Sequence, residues 1–132
     1  MSLHIVRLGS PRGPHEGLRV GTVRHPPRGV ARADFARQNG YDVRLPLLTP
    51  SAGLVKEAQA AGSERDWARF AARYLREMAA PDAAHAIDLL AALSRLTDLA
   101  VGCYCEDEIH CHRSTPRALL AERGAKLAAT DR

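Results

Sequence analysis

The sequence predicts an α/β fold, a three-layer sandwich with a small mixed, mostly parallel sheet. Three observations lead there. Short apolar runs rich in β-branched residues alternate with longer runs of helical period. The last of the short runs, Leu99–Cys105, is apolar enough to lie at the centre of a sheet. The chain has 132 residues, of which 45% are hydrophobic and 26% charged. That is the size and balance of one globular domain, here residues 1–132 with a core over about 3–125.

Each element has its own signal. Leu3–Leu8 reads as a strand, and Ser10–Gly17 as a loop by its Pro and Gly content. Leu18–Arg24 reads as a second strand, stopped by Pro26-Pro27-Arg28-Gly29. The link between these two strands is too short for an ordinary parallel crossover, so they are antiparallel neighbours or not adjacent. Ala31–Asn39 reads as a short helix with Gly40 at its end, and Tyr41–Leu45 as a third strand ended by Pro46.

Residues 47–62 are ambiguous, with Leu54–Ala61 compatible with one or two helical turns. Residues 64–79 form the clearest helix, because Trp67, Phe70, Ala71, Tyr74, Leu75 and Met78 share one face. Ser63 and Asp66 resemble a capping box at its start, and Pro81 breaks it. Ala84–Leu96 is the next helix, with Leu89, Leu90, Leu93 and Leu96 expected inward. Ser114 or Thr115 caps a final helix with Pro116 in its first turn, and Gly124 ends it.

Composition excludes several classes of function. No apolar run approaches the ~20 residues of a membrane helix, so no membrane partner is expected. Met1-Ser2-Leu3-His4-Ile5 lacks a signal-peptide layout. Three cysteines, all within Cys103–Cys111, do not make a secreted disulfide framework. They point to reduced thiols and a cytoplasmic location. The net charge is +4, and Arg outnumbers Lys seventeen to two. Residues 1–50 carry eight Arg against Glu16, Asp34 and Asp42, so the whole excess lies there. Guanidinium forks suit phosphate or carboxylate, although a GC-rich coding bias also enriches Arg.

The chemistry-bearing segment is Cys103-Tyr104-Cys105-Glu106-Asp107-Glu108-Ile109-His110-Cys111-His112-Arg113-Ser114-Thr115-Pro116. It joins the carboxyl end of the central strand to a helix start, where open α/β sheets bind ligands. Arg113, Ser114, Thr115 and the unpaired N–H groups of the helix start make an anion site; ordinary capping is the plainer alternative. The cysteines admit three readings. Cys103, Cys105 and Cys111 with His110 or His112 have the donor types of a tetrahedral metal site, in the unusual spacing C-x-C-x5-C-H. Cys111 or Cys105, near Arg113, could be a low-pKa nucleophile with His112 as proton carrier. Or the thiols simply pack, above all Cys103.

A second loop, Arg24-His25-Pro26-Pro27-Arg28-Gly29, presents two Arg on a stiff turn and resembles an anion clamp. His4, His15 and His85 belong to no constellation. The partners that follow are an anionic small molecule or nucleotide-like ligand, with nucleic acid as the alternative. No cofactor is expected, and nothing in the sequence speaks to oligomeric state.

Cys-Tyr-Cys-Glu-Asp-Glu followed by Cys111-His112-Arg113-Ser114 resembles the family called domain of unknown function 488 (DUF488). So does Val23–Gly29, like that family's Arg and Pro-Arg loop, and the Trp67–Tyr74 helix resembles the aromatic, Arg-rich helix of one branch. The resemblance spans about residues 3–125. It implies a small cytoplasmic three-layer α/β domain without established activity, and carries Arg24, Arg28, Cys111, His112 and Arg113 over as motif positions. Members often place an Asp beside the second-strand Arg. Gly21-Thr22-Val23 has no acid, which puts an Asp-dependent role there in doubt.

Overall fold

Four parallel strands form the sheet, in the order β1-β4-β2-β3. They are β1 (Leu3–Arg7), β2 (Leu18–Gly21), β3 (Val43–Arg44) and β4 (Leu99–Cys103). The helices are α1 (Ala52–Ala60), α2 (Glu64–Met78), α3 (Pro81–Leu93) and α4 (Ser114–Glu122). This computed structural model describes residues 1–23, 34, 40–103 and 114–128, with backbone alone at Ser114 and Thr115. The α/β class is as the sequence predicts. The sheet is not mixed, however: every pairing among the described strands is parallel.

Its order explains the short link between the first two strands. β4, from the far end of the chain, inserts between β1 and β2. The two early strands are therefore not adjacent. Ten residues, Leu8–Gly17, carry the chain back from the end of β1 to the start of β2. That suffices because a five-residue strand is only ~17 Å long.

One face of the sheet carries the main core. Leu3, Val20, Leu99 and Val101 pack there against Leu54 of α1, Phe70, Tyr74 and Met78 of α2, Ile87 and Leu90 of α3, and Leu120 of α4. All four described helices thus lie on one side. The other face buries Val6, Leu8 and Ala100 with Tyr41. The Ala31–Asn39 helix, which a third layer would need, falls outside the described residues except for Asp34.

The helices obey their local signals, with shifts. Ser63 accepts a hydrogen bond from the Asp66 N–H at 3.2 Å and caps α2. Trp67 meets Phe70 edge-on, with ring centroids 6.1 Å apart. α3 starts at Pro81 itself, which suits a first helical position, rather than at Ala84. Its buried residues are Ala83, Ile87, Leu90 and Ala91, spaced to form the inward stripe. Leu89 falls on the opposite side and is 61% exposed; Leu96 lies past the helix end and is 72% exposed. Leu75 also turns outward. The inward placement of these three leucines is therefore wrong. Residues 52–60 are a full helix, α1, whose cap Ser51 accepts from the Leu54 N–H.

α4 ends where Gly124 takes a positive φ of 81°. The chain then bridges Leu127 to Leu3 beside β1, with Leu3 and Lys126, and Ala128 and Leu3, exchanging backbone bonds. α4 therefore crosses over β1 on the helical face, from the carboxyl edge of the sheet to its amino edge. No described helix is long and apolar enough to cross a membrane.

Candidate functional site

Because all strands run the same way, every strand ends at one edge. At the centre is β4, flanked by β1 and β2. Gly102 of β4 pairs with Gly21 of β2, and Cys103 with Arg7 of β1. Two bonds extend this pairing past the strand ends. The Leu8 N–H donates to the Cys103 carbonyl at 2.7 Å, and the Thr22 N–H to the Gly102 carbonyl at 2.8 Å. Thr22 Oγ1 donates to that same carbonyl at 3.2 Å. The β2 and β4 backbones therefore leave the sheet side by side. Gly102 is needed for this packing, since a Cβ there would stand 2.4 Å from the Val6 carbonyl oxygen.

The two segments singled out in the sequence depart from these roots. Arg24 follows Val23, two residues beyond Thr22. The residues 104–113 follow Cys103, and α4 starts at Ser114, which is thus its first helical residue rather than the cap ahead of it. Arg24, Arg28, Cys105, His110, Cys111, His112 and Arg113 lie outside the described residues. Cys103 is buried, 1% exposed and not in a disulfide. It occupies the helical face of β4, in keeping with its packing role. Among the described residues no cluster of three or more His, Cys, Asp or Glu could hold a metal.

Several features of this region are not evident from the sequence. β1 and β3 also end in Arg, so Arg7 and Arg44 stand at the same edge. The only hint is their position before Leu-Gly and Leu-Pro. Thr49, in the turn after β3, has a buried hydroxyl without a hydrogen-bond partner among the described residues.

The charge excess of the first fifty residues is partly neutralised inside the fold. Arg19 and Glu16 form a buried ion pair, Nε to Oε1 at 2.9 Å. The Arg19 guanidinium also donates to the Pro11 carbonyl at 3.3 Å. Arg12 grips Asp42 with both terminal nitrogens at 3.0 Å, and the Arg19 N–H donates to Asp42 at 2.8 Å. Burial would raise the Glu16 pKa, but hydrogen bonds from Arg19 and Gly13 and the charges of Arg19 and His4 hold it below the usual value. Burial acts the same way on Asp42, where Arg12 and the Arg19 N–H outweigh it. These two arginines secure the link between β1 and β2 and so are committed to the fold.

A family model described as the active DUF488-N3 subclade matches residues 3–124. The chain belongs to the DUF488 family. No curated protein and no solved structure matches it. The DUF488 match spans β1 through α4, so it takes in both the Arg24–Gly29 loop and the Cys103–Arg113 segment.

Proposed function

We propose that the carboxyl edge of the sheet binds an anionic, phosphate-bearing small molecule. Arg24, Arg28 and Arg113 act as the clamp, with Ser114, Thr115 and the α4 N-terminus as neutral donors. The single observation that supports this reading is the parallel pairing of β2 with β4 as neighbours. It roots both arginine-bearing segments on adjacent strand ends. An antiparallel pair would have sent them to opposite edges.

The same segment supplies a nucleophile set: a Cys111 or Cys105 thiolate, His112 to carry the proton, and Arg113 to hold developing negative charge. The description of the matched subclade as active favours such chemistry, though it names no reaction. Free thiols in this role suit a cytoplasmic setting.

Calorimetric titration with inorganic phosphate and with nucleoside monophosphates tests the clamp. Arg24→Ala and Arg113→Ala should each weaken binding at least tenfold, and less than additively together if they share one anion. Full binding in the double variant sinks the proposal. For the thiols, saturating ligand should slow alkylation of Cys111 or Cys105 by iodoacetamide. Unchanged rates at both would remove them from the site.

A further inference from the structure

The outer face of α2 carries Arg65, Arg69, Arg73 and Arg76, at i, i+4, i+8 and i+11, all exposed. They form one stripe ~16 Å long at ~1.5 Å per residue. Two of the three carboxylates of this helix accept from backbone N–H groups, and Asp66 also feels the charge of Arg69. Asp66 serves the N-terminus, accepting from the Gly62 N–H at 3.1 Å. Glu77 accepts from the Ser51 N–H at 2.9 Å, tying α2 to the start of α1. Among the described residues Arg73 pairs with Glu57 at 2.7 Å, while the side chains of Arg65, Arg69 and Arg76 make no hydrogen bond or ion pair. The stripe is therefore a charged surface that the fold leaves largely uncompensated.

Its lining narrows the partner. Ala68 and Ala72 are exposed beside the arginines, with Leu75 the one large apolar side chain of α2 exposed on that flank. The aromatics are turned inward: Phe70 and Tyr74 are buried in the core, and Trp67 packs against it. No aromatic surface is left on the stripe to stack on unpaired bases. The apolar side of α2 is consumed by the core, so the helix has no large apolar face to sink into lipid. What remains is a rigid row of forked cations, which matches a dense, regular array of phosphates.

We propose that the α2 stripe binds the phosphate backbone of duplex nucleic acid, without sequence preference. This proposal does not rest on the carboxyl-edge reading. Duplex DNA carries one negative charge per ~1.7 Å of axis, so several guanidinium groups can engage at once.

Fluorescence anisotropy with a labelled 20-base-pair DNA duplex of mixed sequence, at 20–200 mM salt, tests the proposal. Arg65→Gln, Arg69→Gln and Arg76→Gln combined should lower affinity more than tenfold at low salt. The slope of log K against log salt should fall in magnitude by about 2.7, from three lost phosphate contacts at ~0.9 each. Gln is nearly as good a helix former as Arg, and an unchanged circular dichroism spectrum confirms that the fold is kept. Arg24→Ala/Arg113→Ala should keep the slope. No duplex binding by the unsubstituted protein would overturn the proposal, as would a slope unchanged in the triple variant. So would capture by phosphatidylserine vesicles or polyglutamate in place of the duplex.

Discussion

Arg19 is the residue on which the first third of the chain depends. Its side chain is fully buried and pairs with the buried carboxylate of Glu16. Glu16→Gln would break this buried ion pair by removing one partner, which costs about 3–5 kcal/mol. Exchanging both for apolar residues of similar volume, Glu16→Leu with Arg19→Met, should recover much of that loss. Urea denaturation checks both, and a single substitution costing under about 0.5 kcal/mol would show the pair to be idle. The neighbouring Gly17 sits at φ 71°, and a Cβ there would stand 2.1 Å from the Asp98 carbonyl oxygen. Gly17→Ala meets a left-handed backbone worth about 1–3 kcal/mol and a backbone clash besides. The expected loss exceeds 3 kcal/mol, and a denaturation midpoint within error of the parent would contradict it.

At the scale of elements, propensity and packing can be separated. Gly53 lies in α1 with nothing within 4 Å of a built Cβ. Gly53→Ala should therefore stabilise the protein by about 0.5–1 kcal/mol, through helix propensity alone. Ser63→Ala removes the α2 cap and should cost about 1 kcal/mol. Thermal denaturation reads the two as shifts of opposite sign. The elements themselves were legible because period and caps are local signals: α2 was readable from Trp67, Phe70, Tyr74 and Met78, and its start from Ser63. Facing was less so. Leu89 and Leu96 are as apolar as Leu90, and which of them faces inward depends on where α3 starts and stops. Strand order was not legible at all. β2 pairs on one side with β4, about eighty residues later, and no local pattern encodes that pairing. The candidate site shared this limit: residue types named its chemistry, but only the sheet order brings the roots of its two segments together.

At the scale of the whole molecule, four carboxylates among the described residues are held below their ordinary pKa. These are Glu16 and Asp42 around Arg19, Asp66 at the start of α2, and Asp98. For Asp66 the Gly62 N–H is the largest cause; for Asp98 it is the N-terminal ammonium, 3.1 Å away. They lie far apart in sequence, so protonating them strains the β1–β2 link, the α2 cap and the start of β4 at once. The sign follows from linkage. Each group binds its proton more tightly in the unfolded chain, whose values are near 4.5 for Glu and 3.8 for Asp. Their stabilisation is thus complete above those values and is lost as pH falls through the lower, folded ones. The urea midpoint should hold steady from pH 7 to about 5.5 and decline steadily below about 4.5. Asp42→Asn should start from a lower midpoint and decline less steeply, because one of the linked protons is gone. A midpoint that stays level down to pH 3.5, or an Asp42→Asn profile parallel to the parent, would mean that these ion pairs do not couple to folding. Salt sharpens the distinction: exposed pairs weaken with screening, whereas the buried Arg19–Glu16 pair should not. The part of the acid response that survives 0.5 M salt therefore reports the interior pair.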